Sequence, residues 1–301
     1  MDGCDIVLLV TGITGHTGRY FIDELIKNNY KEKIRCIVRK DSSLDYIEKS
    51  GLNYELTFGD LNDADFLLES CKGIDEILSI YNIRYSINMI NAAIKNNVKR
   101  IICVHTTGIY SKYKMASSEY KKIEEKVFEL AKNKIDLTIL RPTMIYGDIC
   151  DLNISKFIKM IDKMKVYPVI AGGKAKLHPV NARDLGKAYY LVLINPETTK
   201  NKSYNLSGSE EIKIIDMLKL IGNYLNKKTI FVTVPLWLSV TSGYVIKLIT
   251  LNKINIVEKI LRMDESRCFS YEDASKDFGY STINFKNAIK EEVEQYKKRM
   301  I

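Results

Sequence analysis

A glycine turn set between an apolar run and an amphipathic stretch constrains this chain more than any other feature. Residues 6–10 read Ile-Val-Leu-Leu-Val, as expected of a strand buried on both faces. Thr11-Gly12-Ile13-Thr14-Gly15-His16-Thr17-Gly18 follows, with glycines at three-residue spacing. Phe21, Ile22, Leu25 and Ile26 then recur at helical spacing. Strand, glycine turn and helix together form the context in which a dinucleotide is bound. Gly12 permits the tight turn, Gly15 lets the backbone approach a pyrophosphate with no Cβ between, and Gly18 lets helix and strand pack closely. The N–H groups at the helix start then face the phosphate charge. Thr14, His16 and Thr17 join the three glycines as candidate cofactor contacts. The competing reading is a glycine turn that serves the backbone alone.

The rest of the first half repeats the alternation. Strands are expected at 34–38, 54–58, 76–80, 101–104 and 137–140. Ile87, Ile90, Ala93 and Ile94 mark one helix between them, and Ile123, Val127, Leu130 and Ala131 another. This predicts an α/β fold of the Rossmann type: a doubly wound parallel sheet with helices on both faces. The texture changes after a loop at 147–153. Helices are expected around 157–161, from Asp184 to about Ile194, around 217–225 and from about Phe285 onward. Strands are expected at 166–170, 176–180 and 204–206, the last returning to the main sheet. We therefore expect a nucleotide-binding domain over 1–150 and a smaller, mostly helical substrate region over 151–301.

The chain of 301 residues is long enough to bury a core without metal or disulfide staples. Its six cysteines, Cys4, Cys36, Cys71, Cys103, Cys150 and Cys268, include no C-x-x-C pair. Cys36 and Cys103 lie in apolar strand-like runs, as core residues would. His16, His105 and His178 are not spaced as a metal set, so no metal site is expected. The formal net charge is +9, spread along the chain without a block or basic tail. That favours anionic ligands and argues against a dedicated nucleic-acid surface. The first residues, MDGCDIVLLVTG, run almost directly into the opening strand and carry no basic n-region or cleavage site, which reads as cytoplasmic.

The end of the second strand bears on the choice of cofactor. NAD sites usually place a carboxylate there, to accept from the adenosine ribose hydroxyls. Here the chain reads Cys36-Ile37-Val38-Arg39-Lys40. A guanidinium at Arg39 would pair with the 2′-phosphate of NADP through two parallel N–H bonds. Lys40 and Ser42 are possible assistants, and Arg19 is a second candidate for the phosphates. NADP is therefore expected over NAD, with NAD still open. The alternative is that Arg39 is only a solvated strand end.

These residues resemble an extended or atypical short-chain dehydrogenase/reductase. More narrowly, they resemble the NAD(P)-dependent nucleoside-diphosphate-sugar epimerase/dehydratase group and its NmrA-like relatives. The resemblance is carried by TGITGHTG, by Gly59-Asp60-Leu61, by VHTTGIYS at 104–111 and by LRPTMIYG at 140–147. HPVNARDL at 178–185, SYNLSG at 203–208 and DFGY at 277–280 extend it over nearly the whole chain. It implies that Asp60 meets the adenine amino group and that Leu61 packs near the base.

The family's chemistry uses Ser/Thr, Tyr and Lys, the last two in Y-x-x-x-K spacing on a helix. One turn stacks the ammonium beside the phenol and lowers its pKa, so the phenolate can take a proton as hydride moves. By the resemblance Thr106 holds the Ser/Thr position and Lys121 the Lys position. Ser117 stands four residues before Lys121 where the Tyr belongs, and Tyr120 precedes Glu124 by four. Tyr110 and Lys114 satisfy the spacing, but in what should be a loop. Tyr113 is the candidate that would swing in from the helix start. Three readings follow. The first is an NADP-preferring oxidoreductase or epimerase acting on a nucleotide-sugar or another small carbonyl or hydroxyl substrate, through Lys121, Thr106 and a relocated Tyr113 or Tyr110. The second is a non-catalytic NADP-binding sensor of the NmrA-like type. In the third, Lys121 works alone as acid and base.

Arg183, Lys174, Lys176 and His178 are basic groups suited to a substrate diphosphate, or simply surface charge. Tyr81-Asn82 after the fourth strand puts bulk where the family keeps a small-residue turn, narrowing the groove. Finally, 230–251 carries one charge, Lys247, over about the length of a membrane span, but Pro235 and Gly243 interrupt it. The leading reading is a buried lid or substrate-region helix. An oligomer or membrane-interface surface comes second, and a true span last.

Overall fold

The computed structural model describes residues 6–251 and 255–300; Cys4 lies outside them. Seven strands form one parallel sheet: β1 (Val7–Thr11), β2 (Lys33–Val38), β3 (Tyr54–Phe58), β4 (Glu76–Ser79), β5 (Arg100–Val104), β6 (Asp136–Pro142) and β7 (Lys202–Leu206). Their spatial order is β7-β6-β5-β4-β1-β2-β3. Leu8 of β1 pairs with Ile34 on one side and Glu76 on the other, so the order reverses at β1. In an open α/β sheet that reversal opens a crevice at the carboxyl ends of the strands, where ligands bind. The expected strand at 204–206 does join this sheet, with Tyr204 opposite Leu140.

Helices cover both faces. On one, α1 (His16–Lys27) packs against α6 (Ala182–Ile194) over Leu8, Val10, Phe21, Leu25 and Tyr189. Their approach is close enough that a Cβ on Gly186 would lie 2.4 Å from the Tyr20 carbonyl carbon. On the other face α2 (Ala64–Ser70), α3 (Ser86–Lys95) and α4 (Lys114–Ala131) bury Leu67, Met89, Ile90 and Val127 against Leu9, Ile77 and Ile101. Cys36 and Cys103 are buried in these cores, and burial pushes each thiol up to about 12.

A third core lies beyond the sheet. It joins α5 (Ile154–Lys163), α7 (Ile214–Leu225) and α11 (Phe285–Met300) around Ile158, Met217, Ile221, Phe285 and Val293. Strand Val166–Ile170 pairs in parallel with Ile230–Val234 at its edge. The expected strand at 176–180 is instead two short pieces: Lys176–Leu177 pairs antiparallel with Ile212–Lys213, and Val180–Asn181 pairs with Ile145–Tyr146. Pro179, which has no N–H to give a ladder, stands between them. The helix expected to open at Asp184 starts two residues earlier. Asn181 caps it, its Oδ1 accepting from the Arg183 N–H at 2.9 Å.

Residues 230–251 differ most from expectation. After strand Ile230–Val234 the chain forms α8 (Leu236–Ile249), whose buried residues are Ser239 and Gly243. It packs on α9 (Val257–Arg262) and is otherwise exposed, so it is not a buried lid. Among the described residues no helix is long and apolar enough to cross a membrane. Helix α10 (Glu272–Phe278) completes the chain's elements near β7.

Candidate active site

The glycine turn lies at the crevice. Gly12 has φ +74°, and a Cβ there would stand 3.0 Å from the Tyr81 amide nitrogen at the end of β4. Gly18 is as restricted from within: its Cβ would lie 2.3 Å from the Gly12 carbonyl oxygen. Gly15 directly precedes α1, donates its N–H to the Gly12 carbonyl at 3.0 Å, and no side chain caps the helix end. The turn thus presents backbone N–H groups at a helix N-terminus with no side chain over them. That fits a dinucleotide pyrophosphate in both shape and charge.

A cavity of about 390 Å³ runs from this turn past Gly15, Arg39, Ser42, Asp60, Leu61 and Tyr81. Arg39 is exposed at its mouth, with Nε 3.5 Å from Asp41 Oδ1. Lys40 does not line it. Asp60 Oδ1 accepts from the Asn62 backbone N–H at 2.8 Å and from its side-chain amide at 3.0 Å, which fixes the turn after β3. Leu61 is buried at its edge. Tyr81 lines the groove, its ring stacked on Tyr85 with centroids 5.5 Å apart.

A second cavity, of about 580 Å³, shares Gly12, Gly15 and Tyr81 with the first and continues to Thr106 and Tyr120. Thr106 Oγ1 accepts from the Gly108 N–H at 3.0 Å, which leaves its own O–H free to donate. Tyr120 is on α4, with the Arg84 guanidinium 5.3 Å from its ring centroid; Arg84 is held by Glu119 through bonds of 2.7 and 2.8 Å. Lys121 is exposed and, like Tyr113, is absent from this wall. Tyr113 instead precedes α4 under the Lys112 ammonium. Tyr110 donates to Asn205 Oδ1 at 3.2 Å, and Lys114 is exposed. The structure therefore brings Thr106 to the cleft but neither Lys121 nor Tyr113. From α4 it brings Tyr120 to this wall, beside Tyr81 and Tyr189 from other segments; the Y-x-x-x-K spacing passes over Tyr120 because Glu124 follows it.

Glu124 is not idle. Buried one turn along from Tyr120, its Oε2 is 2.7 Å from His105 Nδ1, and Arg141 Nε reaches both of its oxygens at 3.0 and 3.1 Å. Burial alone would raise its pKa, but the bonds from His105 and Arg141 outweigh that and hold it below the ordinary carboxylate range. His105 is held below its usual value by burial, against the pull of Glu124, and its Nε2 is 3.1 Å from Ser86 Oγ. This triad ties β5, β6 and α4 together directly beneath Thr106.

His16, Thr17 and Arg19 also find partners. His16 Nε2 lies 3.3 Å and Arg19 Nη2 3.4 Å from Asp148 Oδ2, to which the Tyr20 hydroxyl donates at 3.0 Å. Burial works against ionisation of Asp148, but His16 and the other donors together hold its pKa well below the usual range. Arg19 is thus committed to the loop after β6. Thr17 Oγ1 accepts from the Tyr189 hydroxyl at 3.4 Å.

A third cavity, of about 630 Å³, meets the second at Thr106, Ile145, Leu152 and Asn153. Its wall combines Phe157 and Met160 with Lys156, Lys259, Arg262 and Arg267. Burial and then the charge of Arg262 lower the pKa of Arg267. Neither Nε has a hydrogen-bond partner among the described residues. Of the four basic residues singled out in the sequence, only His178 lines this cavity. Lys176 pairs with Glu211, Arg183 pairs with Glu291, and Lys174 is exposed. The cluster from 259–267 was missed because only the fold brings that segment to the cleft. Among the described residues no group of three or more His, Cys, Asp or Glu side chains is placed to hold a metal.

A family model described as NAD(P)H-binding matches residues 12–151, the stretch that carries the glycine turn and β2 to β6. The chain is 22% identical over 261 residues to the UDP-glucose 4-epimerase of Vibrio cholerae, covering 76% of this chain and 79% of that protein. Among solved structures it resembles the UDP-glucose 4-epimerase of Thermotoga maritima with UDP-glucose. The TM-score is 0.73 and the identity 16%, over 98% of this chain and 100% of that one. It also resembles the UDP-glucuronic acid 4-epimerase of Bacillus cereus in complex with UDP-glucuronic acid and NAD. There the TM-score is 0.75 and the identity 15%, over 98% and 100%. The resemblance carried by the sequence motifs is borne out: residues 12–151 match a family model described as NAD(P)H-binding, and the chain has the fold of nucleoside-diphosphate-sugar epimerases and dehydratases.

Proposed function

We propose that the protein is an NADP(H)-dependent enzyme of the epimerase, dehydratase or reductase kind, acting on a nucleotide-linked sugar. The observation that carries this reading is the junction at Thr106. One continuous trough leads from the glycine turn to Thr106 and Tyr120, and there it opens into the basic cavity. Gly12, Gly15 and the start of α1 hold the pyrophosphate, Asp60 and Leu61 flank the adenine, and Arg39 takes the 2′-phosphate. Lys156, Arg262 and Arg267 take the substrate diphosphate, and this arrangement supports a nucleotide-linked substrate over a neutral one. The similar structures solved with UDP-glucose and with UDP-glucuronic acid point the same way.

A bound nicotinamide supplies hydride acceptance and return. The protein's own part is proton movement and orientation. Thr106 donates its free O–H to the reacting substrate oxygen, and Tyr120 takes or returns the proton. Where the family uses a lysine four residues on, this chain places the Arg84 guanidinium 5.3 Å from the centroid of the phenol ring. Glu124 holds the strand ends below through His105 and Arg141.

The test is hydride exchange from labelled NADPH in the presence of UDP-hexoses. Transfer of label that Tyr120→Phe abolishes and Lys121→Ala spares supports the reading. NADPH binding with no exchange for any sugar nucleotide would overturn it in favour of a nucleotide-holding protein without turnover.

A further inference from the structure

We propose that α8 and the strand before it form a surface that docks on an anionic lipid bilayer, lying on the membrane rather than across it. Helix α8 is apolar nearly all round, yet only Ser239 and Gly243 are buried, where the helix packs on α9. A Cβ on Gly243 would lie 2.8 Å from Ile260 Cδ1, so the close side of the helix is fully used. The other sides face outward: Trp237 is 69% exposed, Leu248 76%, Ile249 74% and Leu251 79%. Ile230 and Val232, on the strand that leads into α8, are exposed as well. Contiguous apolar surface of this kind marks an interaction site rather than ordinary scatter.

Three observations select a bilayer as the occupant. First, the Ser and Thr hydroxyls along the helix bond back to its own carbonyls. Thr241 donates to the Trp237 carbonyl at 2.9 Å, Ser242 to Leu238 at 2.9 Å and Thr250 to Ile246 at 2.8 Å. Polar groups satisfied within their own helix suit an apolar medium. Second, the charge is complementary. In sequence, residues 217–257 contain no Asp or Glu but five lysines, in a chain of net charge +9; Lys247 is on α8 itself and Lys228 stands just before strand Ile230–Val234, while Lys227 is held by Asp162 at 3.0 Å. Lysines beside an apolar surface are drawn to anionic headgroups. Third, Trp237 and Tyr244, both exposed on α8, are the side chains favoured at the headgroup boundary. Fourteen helical residues span about 21 Å, short of the roughly 30 Å of a hydrocarbon core, so the helix lies in the interface. Helix α9, on which it rests, also carries Lys259 and Arg262 into the basic cavity, so a docked membrane would adjoin that cavity.

The chain has one tryptophan, so its emission reports on Trp237 alone. The full chain is mixed with vesicles of phosphatidylcholine, or of phosphatidylcholine and phosphatidylglycerol, and followed by tryptophan emission and co-sedimentation. We expect a blue shift and pelleting with the mixed vesicles, weakened by salt, and binding about tenfold weaker to phosphatidylcholine alone. The double variant Leu248→Glu, Ile249→Glu should lose vesicle binding with its melting temperature unchanged, since both side chains are exposed. Unchanged emission, or equal binding to both vesicle types, overturns the proposal. So does sedimentation equilibrium showing a dimer whose Trp237 emission is already blue and indifferent to lipid.

Discussion

Arg39 and Tyr120 are the two residues on which the reading turns. Arg39 stands at the mouth of the adenosine-side cavity and, among the described residues, its side chain pairs with exposed Asp41 at 3.5 Å, so its guanidinium is available to a phosphate. Arg39→Ala should weaken NADP binding about tenfold or more and leave NAD binding unchanged; equal losses for both nucleotides would show that the residue reads no phosphate. Tyr120→Phe should cut hydride exchange by about two to four orders of magnitude at unchanged nucleotide affinity. A matching loss in Lys121→Ala would restore the expectation of Lys121 acting with a relocated tyrosine. Spacing alone does not show which side of the helix faces the cleft. The stripe Ile123, Val127, Leu130 and Ala131 fixes that a helix exists, but one residue is about 100° of rotation. The helix turns Glu124, Val127 and Ala131 inward, which carries Tyr120 to the wall and Lys121 away from it.

The elements themselves were largely legible. The strands at 34–38, 54–58 and 166–170 show as β-rich runs, and the glycine turn shows by spacing and flanks, because local composition suffices there. Gly18 is the most exacting position in the turn. Gly18→Ala forces a Cβ onto the Gly12 and Ile13 carbonyl oxygens, and should cost about 1–3 kcal/mol of stability together with nucleotide binding. What local pattern could not show is contact between distant segments: the break at Pro179, the arrival of Arg262 and Arg267 at the cleft, and the burial of Glu292. Glu292, on α11, is fully buried, with its Oε2 accepting the Gly147 N–H at 3.1 Å. Burial first, and Asp151 next, push its pKa up from 4.5 to about 10. A raised carboxyl binds its proton more tightly when folded, so its contribution is complete below the unfolded value and is lost as pH climbs toward the folded one. Stability should therefore fall between about pH 5 and about pH 9 in the native chain and fall less in Glu292→Gln, which keeps an acceptor for Gly147 and carries no charge. Melting curves of both proteins across that range check this; identical slopes would contradict it.

Across the whole molecule, the sheet's reversal at β1 places the nucleotide trough, and the third core places the basic cavity against it. The two halves of the ligand surface are separable. Arg262→Ala with Arg267→Ala should weaken uridine diphosphate binding while sparing NADPH, as titration of each ligand separately would show. The account rests on a pyridine dinucleotide lying over the backbone of Gly12, Gly15 and Gly18. Calorimetric titration of the full chain with NADPH and with NADH tests this most directly. The predicted result is saturable binding of one NADPH per chain, tighter than NADH. No heat with either nucleotide would contradict it.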